Sequence, residues 1–447
     1  MVSVQVVESC LVVPSEATPM KELWLSPLDM VAPGRDTPLL FFYAADDGAA
    51  DFLAVAARLK AALAKTLVAF YPLAGRLGVD GDGRLMVSCN AEGALFVVAR
   101  SSLPAHYFDS FKPSHQQRLL FLPRLEPSSL IMAVQMTLLK NGGVALGLVT
   151  NHAVVDAASA SHFLQTWSSF ARDGGAAGGG GGVELPCHER ALLRARSPPV
   201  VHPDALLTFC PRVPLSPHPP GAIANEVLLL SGEQVASLKR LCGGGATSTF
   251  SAVSALVWQC VCAARRLRPE AEARLMFPAN IRRRVPRLIP GRYFGNAVVE
   301  LRATAAARDI TSEALAATAG RIGGAIARVD EELVRSAVDY YAMKEETQRS
   351  SPRRRTAGSL GETDLKIVSW LGMRLEADFG WGMPRLTSRA ESARGGYVYL
   401  INGGPAGEGA AVGVRLLVCM EAANINDFQR LLYATLVDVG GQVISKL

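Results

Sequence analysis

Two hydrophobic periods run along the chain. In FLAVAARLKAALAKTLVAF (52–70) apolar residues recur three and four positions apart, which predicts a helix with one buried face. YPLAGRL then turns the chain out of it. In LIMAVQMTLLKNGGVALGLVTNH (130–152) two apolar runs flank Asn141-Gly142-Gly143, the pattern of two strands joined by a hairpin turn. SASHFLQTWSSFAR (159–172) returns to helical spacing. Further on, TFSAVSALVWQCVCAARRL (249–267) predicts a helix with Ser248 or Thr249 as its N-cap. VGVRLLVCMEA (412–422) predicts a strand and INDFQRLLYATL (425–436) a late helix. No internal repeat stands out.

One break interrupts these periods. DGGAAGGGGG (173–182) has almost no side chain to bury and reads as a flexible linker. The proline-rich stretch SPPVVHPDALLTFCPRVPLSPHPPG (197–221) reads as extended chain. The expected organisation is therefore an N-terminal domain, 1–173, a Gly/Pro-rich crossover, 174–220, and a C-terminal domain, 221–447. Both halves mix strands with helices, so the fold class is α/β. The length, 447 residues, supports two cores, because a single core stops growing at roughly 250–300 residues.

Composition narrows the function. Hydrophobic residues make up 49% of the chain and charged ones 19%, which excludes disorder over most of its length. The formal charge of +6 is mild. Its two basic clusters, IRRRVPR (281–287) and SPRRRT (351–356), read as solvated faces, or as contacts to a small polyanion such as a nucleotide phosphate. Zinc-finger spacing and basic helices with interleaved aromatics are absent, so nucleic acid is not an expected partner. The eight cysteines are scattered, without C-x-x-C, which fits a reducing compartment and no structural zinc. The N-terminus lacks a secretory pattern, and apolar runs are too short to span a membrane. The expectation is a soluble intracellular protein. The last three residues, Ser445, Lys446 and Leu447, match the tripeptide read by the peroxisomal import receptor, so a peroxisomal location is expected, with the cytoplasm as the alternative.

Familiar catalytic motifs are missing. There is no G-x-S-x-G elbow, no P-loop and no Rossmann glycine pattern. The seven histidines are dispersed, so no metal site is expected. TNHAVVDAAS (150–159) remains. His152 ends an apolar strand, where α/β folds open a crevice, and Asp156 follows it and can cap the next helix. On the residues alone His152 is equally a satisfied histidine at a strand end. EADFGWGMPRL (376–386) places two glycines around Trp381, downstream of Asp378, in a sharp turn. A structural tryptophan turn is the plainer reading.

His152-Ala-Val-Val-Asp156 and Asp378-Phe379-Gly380-Trp381-Gly382 together resemble the paired signature of the plant BAHD acyl-CoA-dependent acyltransferases. FYPLAGRL (70–77), GLVTNHAVVDAASASHFLQTWS (147–168) and GRYFGNAV (291–298) are similar to the same family, and the opening VVESCLVVPSEATPMKELWLSPLDM looks most like its hydroxycinnamoyl-transferase branch. The resemblance implies two chloramphenicol-acetyltransferase-like domains joined by a crossover loop, with a channel between them. Acyl-CoA is the implied co-substrate, with no bound cofactor, no metal and no covalent acyl-enzyme. The implied reaction moves an aromatic acyl group, hydroxycinnamoyl or benzoyl, to an alcohol or amine. His152 is the implied general base and Trp381 the implied oxyanion donor. Asp156, Gly380 and Gly382 are structural, as is Asp378, with Arg282 as its expected partner. A monomer is expected.

Two departures from the family pattern matter. Ala157 stands where glycine is frequent and could narrow the channel or change the turn. Shikimate-using relatives carry an arginine two residues after the tryptophan of SWLGMRLEADFGWG (369–382); this chain has Gly372 there, with Arg374 out of register. Shikimate is therefore not the expected acceptor. Amine acceptors would be helped by channel-lining carboxylates, for which Glu345, Glu346, Glu362 and Glu376 are the candidates. The competing class is a catalytically silent binding or scaffolding protein on the same fold.

Overall fold

The computed structural model describes residues 4–31, 35–44, 52–140, 142–172, 184–210, 221–350, 359–392, 394–403 and 413–440. The glycine run at 173–182, the arginine cluster at 351–356 and the Ser445–Leu447 tail lie outside them. The strands are β1 (Val4–Val12), β2 (Lys21–Trp24), β3 (Asp36–Tyr43), β4 (Arg76–Val79), β5 (Leu85–Cys89), β6 (Ala94–Pro104), β7 (Met132–Lys140) and β8 (Val144–Asn151) in the first half. The second half has β9 (Ile223–Leu230), β10 (Glu272–Asn280), β11 (Val298–Ala306), β12 (Asp364–Ser369), β13 (Leu386–Arg389), β14 (Tyr397–Asn402) and β15 (Val414–Glu421).

These strands form two six-stranded sheets, ordered β1-β6-β7-β8-β3-β13 and β11-β10-β12-β14-β15-β9, and a small sheet β2-β5-β4. The α/β class is confirmed. The expected hairpin joins β7 to β8 in antiparallel register, with Asn141 itself outside the described residues. Gly142 and Gly143 have φ of 88° and 86°, a region closed to residues with a Cβ at ordinary cost. The helices Phe52–Ala69 and Ala157–Arg172 lie together, pinned where the Trp167 indole N–H donates to the Leu59 carbonyl at 3.0 Å. In the second half Thr249–Ala264 is buried nearly all round, as its apolar composition demands, and Ser248 caps it through the Ser251 N–H.

Two features depart from the linear division of the chain. β13 comes from the second half yet completes the first sheet, with Arg389 opposite Leu39 of β3. Chain order therefore does not partition the sheets. The crossover is also less extended than its prolines suggest: Arg190–Leu193 and Ala205–Thr208 make short helical turns. Leu193, Ala205 and Phe209 bury themselves in the second-half core, and that tertiary contact overrides the local preference. The inner face of the second sheet, including Met276, Tyr397, Tyr399 and Cys419, packs into the same core as the first-half helices. The seam between the two sheets is where the chemistry-bearing residues gather.

Candidate active site

The His152 turn is fixed at every step. β8 ends at Asn151, whose side-chain oxygen accepts from the Ala153 N–H at 2.9 Å. The His152 N–H donates to the Arg35 carbonyl at 2.8 Å, so the histidine leaves the sheet alongside the start of β3. Asp156 caps the following helix by accepting from the Ser159 N–H at 2.8 Å. Its other oxygen accepts from the Ala297 N–H at 3.0 Å.

Arg282 reaches the same carboxylate with both terminal nitrogens, at 2.8 and 3.1 Å. It also donates to the carbonyls of Tyr293 and Gly295. Both partners are buried, Asp156 at 3% and Arg282 at 5% exposure. Burial pushes the Asp156 carboxyl up; the Arg282 charge and hydrogen bonds, with two backbone N–H groups, more than reverse it, so it lies below the usual carboxylate range. The expected Arg282–Asp378 pair is thus not formed. Arg282 spends its fork on Asp156, and the IRRRVPR cluster is not a uniform solvated face, because its first arginine lies inside the protein.

His152 itself is half-buried. Its Nδ1 is buried and has no partner at hydrogen-bond geometry, which leaves Nε2 as the nitrogen able to meet a substrate. Burial lowers its pKa below the ordinary 6.5; the Asp156 charge opposes this, and the charges of Arg389 and Arg35 add to it. The imidazole is therefore neutral at pH 7, the protonation state a general base needs.

A second buried network holds the same turn and escaped sequence reasoning. Arg190, in the crossover, pairs with Asp29 at 2.7 Å, at exposures of 1% and 0%. Its other terminal nitrogen donates to the Val154 carbonyl at 2.9 Å. Asp29 also accepts from the backbone and side-chain N–H groups of Asn296, and the Asn296 amide donates to the His152 carbonyl at 2.8 Å. Arg190 and Asn296, joined through Asp29, thus hold the Val154 and His152 carbonyls of this turn. Asp29 and Asn296 fall within stretches that carry the family resemblance, a usable signal. Arg190 falls in a segment read as linker, where an arginine passes for a solvated charge.

The D-F-G-W-G turn sits elsewhere. One Asp378 oxygen accepts from the N–H groups of Gly380 and Gly382 at 2.7 and 2.9 Å. Those glycines have φ of 97° and 79°, which explains their spacing. Arg58 donates to the Phe379 and Ala171 carbonyls, and the Tyr43 hydroxyl to that of Ala377. The turn therefore staples the first-half helices to the segment that leads into β13. Trp381 packs against Tyr43 with ring centroids 5.1 Å apart. Tyr43 ends β3, whereas His152 lies beside Arg35, just before its start. At about 3.3 Å per residue the backbone step along the strand from Arg35 to Tyr43 is roughly 25 Å. The expected oxyanion role of Trp381 does not fit that distance.

A small cavity, with room for about one water molecule, lies behind the turn and is lined by Thr37, Leu39, Thr150, Val155, Asp156, Ala157, Ala160, Trp370 and Leu375; His152 itself is not part of its wall. Ala157 has no left-handed φ, so its methyl leaves the turn unstrained and takes up cavity space instead. None of the four glutamates considered for the channel lines this cavity; Glu345 pairs with Arg84, and Glu376 lies beside Asn402. Among the described residues no group of three or more His, Cys, Asp or Glu is placed to hold a metal, and no helix is long and apolar enough to cross a membrane.

Two sheets meeting around a histidine-bearing turn define the class, and comparison with known proteins gives the family. A family model described as the Transferase family matches residues 2–435. The chain belongs to that family, the BAHD acyltransferases, and is an acyl-CoA-dependent acyltransferase. Putrescine hydroxycinnamoyltransferase 1 of Oryza sativa subsp. japonica is 36% identical over 450 residues, covering 97% of this chain and 99% of the relative. A hydroxycinnamoyl-CoA:5-hydroxyanthranilate N-hydroxycinnamoyltransferase of Avena sativa, HHT1, is 35% identical over 402 residues, covering 84% and 88%. In fold, the crystal structure of vinorine synthase matches with TM-score 0.71 at 21% identity, covering 98% of each chain.

Proposed function

We propose that the protein transfers an aromatic acyl group, hydroxycinnamoyl or benzoyl, from CoA to an alcohol or amine, with His152 as general base. Nε2 takes the proton from the acceptor as its oxygen or nitrogen attacks the thioester carbonyl. The tetrahedral intermediate collapses, the carbon–sulfur bond breaks, and the imidazolium returns the proton to the departing CoA sulfur. No covalent acyl-enzyme forms. Asp156 does not touch substrate in this scheme, because its oxygens are engaged by Arg282, Ser159 and Ala297. A hydrogen-bond donor aimed at the oxyanion of that intermediate is worth about 3–4 kcal/mol.

The carrying observation is a neutral, half-buried imidazole on a turn whose carbonyls are held by Arg190 and Asn296. The relatives named above act, by their names, on putrescine and 5-hydroxyanthranilate, both of which offer an amine. The test is thiol release from p-coumaroyl-CoA and benzoyl-CoA against a panel of alcohols, phenols and amines. His152→Ala abolishes turnover while the thermal transition stays in place; retained turnover overturns the base assignment. No thiol release from the unmodified protein with any pairing supports the silent binding protein instead.

A further inference from the structure

One buried ion pair has no part in the proton transfer proposed for His152. Arg190 and Asp29 are 1% and 0% exposed. A pair this deep adds little stability by itself, because desolvation offsets most of its attraction, and the Arg190 Nε is left buried without a hydrogen-bond partner. Its consequence is geometric. Asn296 uses its side-chain amide twice, donating to Asp29 Oδ1 at 2.9 Å and to the His152 carbonyl at 2.8 Å. The same Asp29 oxygen accepts the Asn296 backbone N–H at 2.8 Å, so the amide cannot turn over without setting its own oxygen against the carboxylate. Arg190 holds the other Asp29 oxygen and the Val154 carbonyl. A Cβ on Gly295 would come within 3.0 Å of the guanidinium, so Arg190 lies directly over the backbone that leads into Asn296.

The crossover presents Arg190 from a fixed base. The Cys187 N–H donates to the Arg292 carbonyl and the Phe294 N–H to the Cys187 carbonyl, both at 2.8 Å. His188 Nε2 meets the Ala69 carbonyl at 2.8 Å, and Leu193 is buried in the second-half core. His152 is reached through its own backbone. Its Nδ1 lies outside hydrogen-bond geometry with any group, and the one hydrogen-bonding group that favours a proton on the ring is its own carbonyl, the atom that Asn296 holds. While that carbonyl is fixed, Nδ1 keeps the proton and Nε2 is free to act as base. A carbonyl free to swing releases the ring to the other tautomer.

We infer that Arg190, Asp29 and Asn296 are positioning residues for the base: they fix the His152 and Val154 carbonyls, and with them the tautomer and aim of the imidazole. The crossover is then part of the catalytic apparatus as well as a connection between halves. This deepens the proposed function and rests on His152 being the base.

The test uses the full chain, p-coumaroyl-CoA and benzoyl-CoA, and the acceptor that turns over fastest in the panel above. Arg190→Gln and Asn296→Ala each lower kcat about 10- to 100-fold, the scale of a base displaced by about an ångström, with KM for donor and acceptor within about threefold. Arg190→Lys recovers part of kcat, because an ammonium can pair with Asp29 but cannot also fork onto the Val154 carbonyl. Arg265→Gln is the control for stability alone. It opens another buried pair, Arg265–Glu421 at 2.9 Å, with no hydrogen bond to the turn, and lowers the melting temperature while kcat stays within about threefold. Spectra of 15N-histidine-labelled protein give a readout that lost stability does not move. His152, assigned by its absence from His152→Ala, shows one tautomer protonated at Nδ1 in the unmodified chain and a mixture of two in Asn296→Ala. Should Asn296→Ala fail to fold, the Arg190 variants carry the same comparison, since Asp29 keeps its four donors from Ser26 and Asn296 in both. A lower melting temperature with kcat and tautomer unchanged overturns the inference and leaves the network purely structural. Failure of the base assignment is a separate result, seen as turnover retained in His152→Ala.

Discussion

Replacing Arg282 with methionine removes the guanidinium and keeps the length of an apolar stem. Six hydrogen bonds are lost at once: two to Asp156, and one each to the Ser159 hydroxyl, the Asn280 side-chain oxygen and the carbonyls of Gly295 and Tyr293. The more serious consequence is a carboxylate left at 3% exposure with only backbone N–H groups. Breaking a buried pair from one side costs about 3–5 kcal/mol, a large share of the roughly 5–15 kcal/mol by which a domain is stable. The cost also depends on pH. In the unmodified protein the Asp156 carboxyl lies below 3.8, so its contribution is complete above that value and lost only as pH falls through the lowered one. Without Arg282, burial dominates and the pKa rises above 3.8. The variant then gains a proton on acidification and sheds the cost, so its deficit is smaller at pH 5 than at pH 8. Urea unfolding at both pH values reads this directly. In the double variant with Asp156→Asn the losses fall short of additivity by about 1–3 kcal/mol. A deficit under about 1 kcal/mol at both pH values, with additive losses, would refute the account of the pair.

Trp381→Phe keeps kcat within about threefold while lowering stability, since loss of a true oxyanion donor costs about 100- to 1,000-fold; steady-state kinetics decide. His162 and His188 are pushed down to about 4, chiefly by burial. The unfolded chain protonates them near 6.5, so their contribution is complete above 6.5 and erodes from 6.5 to about 4. A melting temperature that falls across that window, and falls less in His162→Gln and His188→Gln, is the expected result. A fluorescent protein fused to the N-terminus marks peroxisomes if the Ser-Lys-Leu tail is read there, and deleting Leu447 disperses it. Diffuse signal from both forms removes the address.

Local physics made much of this protein legible from its residues. Helical spacing at 52–70 and 249–267, the Gly142-Gly143 turn and the short apolar runs marked their elements, because period and backbone tolerance are properties of a few neighbouring residues. The same holds for Asp378, Gly380 and Gly382, whose turn closes on itself. Long-range pairing was not legible. Nothing local tells Arg282 to choose Asp156, 126 residues away, over Asp378. Nor does sequence show that Arg190 leaves an apparent linker to hold the Val154 carbonyl, or that β13 crosses into the first sheet. Two short motifs suggested one site because both are distinctive, yet they lie at opposite ends of β3. Buried charges find partners by three-dimensional proximity and by the cost of staying unpaired, and only the folded chain sets both.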